Sequence, residues 1–119
     1  MNKKEQGQEG EGHARSFLEK AGYRFLAANT QTRYGEVDLV MEKGTTVVFV
    51  EVRVRGSNSY GSPAETVTKA KQKKVAKAAI AYAKEQGLTK RPLRFDVVAI
   101  EGNKINHIPN AFVPTGYYL

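Results

Sequence analysis

Cysteine is absent from the chain, so neither a disulfide framework nor thiolate chemistry is available, and a cytoplasmic setting is expected. Only two histidines accompany that absence, which argues against a structural zinc site. No apolar run approaches the ~20 residues that a membrane-spanning helix needs, and residues 1–7 lack the apolar stretch of a secretory leader. No internal repeat, linker or low-complexity tract breaks the 119 residues. They fit one domain, 1–119, with 1–7 and 113–119 expected to be loosely ordered.

What is present is a globular composition, 40% hydrophobic and 26% charged, not a disordered one. Nineteen Lys and Arg against twelve Asp and Glu leave a formal net charge of +7. Such a balance favours polyanion partners, because neutralising phosphates releases condensed counterions, but it also serves plain solubility.

Residues 8–21 carry Ala14, Phe17, Leu18 and Ala21 at helical spacing, with Gly22 as a stop. Tyr23–Ala28 is a short strand candidate, and Asn29–Gly35 reads as a polar connection. Alternation then sets Val37, Leu39 and Met41 on one side and Glu36 and Asp38 on the other. Glu42–Thr45 is a turn, and Thr46–Val54 is a strand rich in β-branched residues. Arg55–Ser62 reads as a flexible loop, after which Pro63 can open a long helix running to about Gln86, with Gly87 ending it. Strands over Arg94–Ile100 and Ile105–Ile108 follow, Pro109 closes the second, and the tail to Leu119 is unassigned. The order α-β-β-β-α-β-β predicts an α/β fold, a central mixed sheet flanked by helices.

The acidic residues carry the chemical signal. If the turn at Glu42–Thr45 is even, Met41 pairs with Thr46 and Asp38 lies opposite Phe49. Asp38 then shares a face with Glu51 one diagonal step away, at ~7–8 Å between Cα atoms. One hard cation between the two carboxylates closes that gap; an odd turn would put them on opposite faces. Glu51 interrupts the apolar run Val47–Val52, where a carboxylate is costly unless it is paired or metal-bound. An ion pair with Arg53 answers the same need. Glu11 lies beside the apolar stripe of the first helix, either as a third carboxylate or as a solvated residue of the first turn. In the long helix, Lys69, Lys73, Lys77 and Lys84 form a basic stripe, suited to phosphates or to solvation. Lys71 stands inside the apolar face, where it either snorkels outward or offers its ammonium to a buried acid or phosphate.

Gly10-Glu11, Phe17-Leu18-Glu19, Gly35-Glu36-Val37-Asp38-Leu39-Val40, Phe49-Val50-Glu51-Val52-Arg53-Val54-Arg55, Lys71-Gln72 and Arg94-Phe95-Asp96-Val97-Val98 resemble, in this order, the bacterial YraN family. That resemblance covers nearly the whole chain. It implies a restriction-endonuclease-like fold, related to archaeal Holliday-junction resolvases, and a PD-(D/E)xK-type site. The helix acid of that site matches Glu11, the strand aspartate Asp38, and the E-x-K pair Glu51 and Arg53. Lys71 matches the family's long-helix lysine, while Glu36 belongs to the motif without a clear role. The departure is Arg53, because an arginine grips phosphate but stays protonated and cannot act as a base.

The resemblance therefore implies a Mg²⁺- or Mn²⁺-dependent endonuclease acting on DNA, with branched or damaged DNA as candidate substrates. Asp38, Glu51 and Glu11 are its expected metal ligands, with Arg53 and Lys71 on the scissile phosphate. Arg55, Lys69, Lys73 and Lys77 are expected to guide the nucleic acid backbone, and Tyr34 and Tyr60 either to stack on bases or to pack. A binding module that has lost cleavage and a basic protein-interaction scaffold are the alternative functions. A homodimer is expected if the substrate is a four-way junction, and no membrane partner is expected.

Overall fold

Helix α1 starts where a cap permits it. The Asn2 side chain, on extended backbone, accepts the Glu5 N–H at 2.8 Å. In the computed structural model, which describes residues 2–56 and 61–114, α1 therefore spans Lys3–Lys20. It begins five residues earlier than the glycines at 7, 10 and 12 suggest, because the cap and the acidic first turn offset their helix cost. Its buried stripe is Gly10, Ala14 and Leu18, whereas Phe17 and Ala21 are exposed. Gly10 admits a close approach: a Cβ there would lie 2.7 Å from Val54 Cγ2 on the sheet.

Strand β1 spans Arg24–Thr32 and β2 Gly35–Lys43. The supposed polar connection is thus largely strand: Thr30, Gln31 and Thr32 pair with Val37, Glu36 and Gly35, leaving Arg33 and Tyr34 as a two-residue loop. Backbone pairing at an exposed hairpin end does not need apolar side chains, so polarity misleads there. A second two-residue loop, Gly44 and Thr45, joins β2 to β3, Thr46–Arg55, with Gly44 at φ 59°. Met41 pairs with Val48, not with Thr46, so the register is two residues tighter than expected. Both registers keep Asp38 and Glu51 on one face of the ladder, because the shift is even.

Beyond β3, Pro63 opens a single 3₁₀ turn, Pro63–Thr66, instead of the long helix. That helix, α2, spans Lys69–Glu85 and is capped by Thr68, whose hydroxyl accepts the Lys71 N–H at 3.1 Å. Gly87, at φ 69°, ends it as expected. Strands β4, Leu93–Glu101, and β5, Lys104–Ile108, complete a five-stranded sheet in the order β1-β2-β3-β4-β5. Only β3 and β4 are parallel, and α2 is their crossover. The fold is the α/β arrangement expected, a mixed sheet flanked by two helices.

Each helix covers one face. Val47, Phe49, Phe95 and Val97 meet the alanine-rich face of α2, and Val48, Val50, Val98 and Ile100 meet Ala14 and Leu18 of α1. Phe49, Phe95 and Phe112 stack in series, with ring centroids 5.7 and 5.3 Å apart, which draws the unassigned tail onto the sheet. On the α1 side, Asp96 is fully buried. It accepts two bonds from Arg94 at 2.8 Å, the Asn110 N–H at 2.9 Å, and lies 2.7 Å from His107 Nε2. Arg94 also donates to the Tyr23 hydroxyl. No helix among the described residues is long and apolar enough to cross a membrane.

The two glycines of α1 should respond oppositely to a side chain. Gly12 is exposed, and an added methyl would meet nothing within 4 Å, so Gly12→Ala should stabilise by ~0.5–1 kcal/mol. Gly10→Val should cost ~1–3 kcal/mol by overpacking against Val54. Urea midpoints of the two variants check both signs.

Candidate functional site

Pairing between β2 and β3 runs from Lys43–Thr46 to Leu39–Val50. Continuing it one step would set Asp38 opposite Glu51, directly across instead of diagonally. There the ladder gives way, and the Asp38 carboxylate accepts the Val52 N–H at 2.9 Å. A side chain thus takes the place of a strand carbonyl. The expected alternation breaks at the same point. Leu39 and Met41 pack on the α1 side, but Val37 joins Val40 in the α2-side core. On β1 the residue in register with Asp38 is Asn29, held at φ 51°. A residue of this type tolerates the left-handed region.

This parting brings acids together. Glu11 from α1 and Glu36 and Asp38 from β2 each place a carboxylate oxygen within 4.8 Å of the others. Glu51 lies on the wall of a cavity of about 410 Å³ that Glu11 and Asp38 also line. Gln31 Nε2 donates to Glu36 at 2.6 Å and orients it. Glu36 is the motif acid without an expected role, and its carboxylate stands beside those of Glu11 and Asp38.

Two cations attend Glu51, which is only 5% exposed. Arg53 Nε and Lys71 Nζ each lie 3.8 Å from its Oε1, near enough for attraction but too far for a hydrogen bond. Arg53 Nε is itself buried without a hydrogen-bond partner, while its Nη2 donates to the Thr66 carbonyl at 3.4 Å. Lys71 is half-exposed at the start of α2, so its ammonium reaches back to the acid instead of lying in the core.

Burial, and then the neighbouring Asp38 charge, push the Glu51 carboxyl up to about 7 against the pull of Lys71 and Arg53. The same two causes push Glu11 up to about 7. Burial also raises Asp38, despite the Val52 N–H that favours its charged form. Crowded carboxyls that resist ionisation, with oxygen as their only donor atom, suit a hard divalent ion such as Mg²⁺, Mn²⁺ or Ca²⁺. Neither histidine joins the acidic group, and His107 is committed to Asp96.

The expected backbone guides separate into two kinds. Lys69, Lys73 and Lys77 are exposed at four-residue spacing along α2 and form the stripe read from the sequence. Arg55 does not join them: its side chain is 7% exposed, 3.2 Å from Glu101, and donates to the Gly61 carbonyl at 2.9 Å. It braces the end of β3. Tyr60 and half of the loop expected to be flexible, residues 57–60, lie outside the described residues.

The raised values set a sign for stability. An unfolded glutamate titrates near 4.5, so the contribution of Glu51 and Glu11 is fully present below about pH 4.5 and lost as pH rises through about 7. In chelator, Glu51→Gln should match the unsubstituted protein near pH 4. Above pH 7 it should exceed it by on the order of 2 kcal/mol. Urea midpoints across that range check the crossover; a variant less stable at pH 8 would refute it.

Residues 10–100, which contain all four acids, match the model of the uncharacterised protein family UPF0102. A UPF0102 protein of Syntrophomonas wolfei is 50% identical over 107 residues, covering 87% of this chain and 93% of its own. One of Sulfurihydrogenibium is 41% identical over 112 residues, covering 94% and 97%. One of Klebsiella pneumoniae is 46% identical over 111 residues, covering 92% and 87%. These matches bear out the family resemblance read from the sequence.

Proposed function

The chain belongs to the uncharacterised protein family UPF0102, and from its acidic cluster we propose a metal-dependent nuclease acting on DNA. The observation that carries this reading is the convergence of Glu11, Glu36, Asp38 and Glu51 where β2 and β3 part, with Lys71 and Arg53 beside them. Glu11, Asp38 and Glu51 are the side chains to hold Mg²⁺ or Mn²⁺, and Glu36 adds a fourth carboxylate. A bound divalent ion supplies charge against the phosphate and lowers the pKa of its water.

The chain's own residues supply the rest. Lys71 and Arg53 set two positive charges at the rim of the acidic group, where a phosphodiester must sit to meet it. Arg53 offers the outer nitrogens of its part-exposed guanidinium, one of them already on the Thr66 carbonyl, to a phosphate oxygen. Asp38, fixed by the Val52 N–H, is held in place before any ligand arrives. The lysine stripe of α2 tracks the DNA backbone, with affinity that depends on salt.

Arg53 also favours a second reading, a DNA-binding module with little or no cleavage. Arginine cannot lose its proton at working pH, and its buried Nε and bond to Thr66 fix it where a lysine would be freer.

Linear, nicked, flapped and four-way DNA incubated with Mg²⁺ or Mn²⁺ should be cut on at least one form. Asp38→Asn and Glu51→Gln should each lower the rate by roughly 100-fold or more while leaving binding intact. Arg53→Lys should raise it. A folded protein that cuts none of these, with either ion, leaves only the binding reading. Filter-binding slopes of log K against log salt should shrink by about 0.9 for each of Lys69, Lys73 and Lys77 replaced by Gln.

A further inference from the structure

A second cavity, distinct from the acidic one, lies between the tip of the first hairpin and the outer side of α2. Its volume is about 440 Å³, within the ordinary range for small-ligand sites, and its lining is Arg33, Tyr34, Lys77, Ile80, Ala81 and Lys84. Three of the six are cations and none is an acid. Lys77 and Lys84 stand two turns apart, ~10 Å along the helix, and bracket the half-buried Ile80 and Ala81.

The hairpin turn itself holds the aromatic outward. The Thr32 hydroxyl accepts the Tyr34 N–H at 3.1 Å and donates to the Gly35 carbonyl at 2.9 Å. Gly35 sits at φ 141°, a backbone that side chains rarely adopt. Tyr34 is left 44% exposed, with the Arg33 guanidinium 5.0 Å from its ring centroid. Nothing in the core needs this ring.

We infer that this cavity receives one unpaired nucleotide of a DNA strand, its base against Tyr34 and its phosphates on Arg33, Lys77 and Lys84. An exposed ring above an apolar floor takes the face of any base, and surrounding cations take the backbone, the pairing that single-strand binders use. A base inside a duplex has no free face to offer, so it must be unpaired or flipped. Tyr34 is two residues from Glu36, at most ~7 Å between Cα atoms. The cavity opens on the α2 side of the sheet, whereas Glu36 turns to Glu11 on the α1 side, so the seated nucleotide lies around the sheet from the acidic cluster. The assignment rests on the nuclease reading for its purpose, but it is tested by binding alone.

The test measures fluorescence anisotropy in chelator, without divalent ions, using a labelled 12-mer strand, the same strand with abasic positions, and the blunt duplex. Tyr34→Ala should weaken the intact strand by roughly 5- to 150-fold. Tyr34→Phe should bind it like the unsubstituted protein. Neither should change the abasic strand or the duplex, which present phosphates without free bases. Lys84→Gln should weaken all three probes. Unlabelled thymidine monophosphate should compete only at far higher concentration than the strand. Equal loss on the intact and abasic strands, or no loss with Tyr34→Ala, overturns the assignment and leaves the nuclease reading standing. Competition by the monophosphate at strand-like concentration also overturns it, giving the cavity to a free nucleotide. An unsubstituted protein that binds no probe also overturns it, while cutting in Mg²⁺ or Mn²⁺ decides the nuclease reading separately.

Discussion

The bond from the Val52 N–H to the Asp38 carboxylate decides how the acidic end is built. An unpaired backbone donor at that depth would be costly, so the strands could not part without a substitute acceptor. Asp38 provides it, and the parting makes room for Glu11 to approach from α1 and for Glu51 to face the same cavity. One carboxylate thereby ends a ladder, positions itself and opens a cleft. The break in alternation at Val37 and the left-handed Asn29 are the backbone's accommodation of the same event.

Two buried acids in this sheet are held in opposite ways. Asp96 has both oxygens engaged, by Arg94, Asn110 and His107, and these bonds hold its carboxyl below the usual range although burial opposes them. Glu51 has cations only at 3.8 Å and a neighbouring acid, and its carboxyl is pushed up to about 7. The first is complete within the fold. The second is a deficit of positive charge that the protein alone does not fill.

Much of this is readable from residue patterns. The β-branched run of β3, the Gly87 stop and the even turn that keeps Asp38 and Glu51 on one face all follow from local rules. What escapes them is decided by competition between signals. Pro63 meets the helix-start rule, but Thr68 offers a capping hydroxyl five residues later and α2 begins there. Residues 29–32 look like a connection, but their hairpin partners pair with them through the backbone. Arg55 belongs by type to a phosphate-binding row, yet Glu101 lies across from it on the parallel neighbour and takes its charge. No spacing rule sees a partner 46 positions away. The pairing of Glu36 with Glu11 likewise needs the approach of α1, whose geometry depends on Gly10.

That approach has a consequence for the order in which the protein becomes competent. Gly10 and Ala14 are synthesised long before Ile100, which is part of the surface they rest on. α1 can therefore settle first on β1–β3 and completes its seat only when β4 has been made. Glu11 can thus approach Asp38 and Glu51 before the second half of the sheet exists. A half-made polypeptide already carries all four acids on neighbouring elements, and what it still lacks is the Lys71 ammonium.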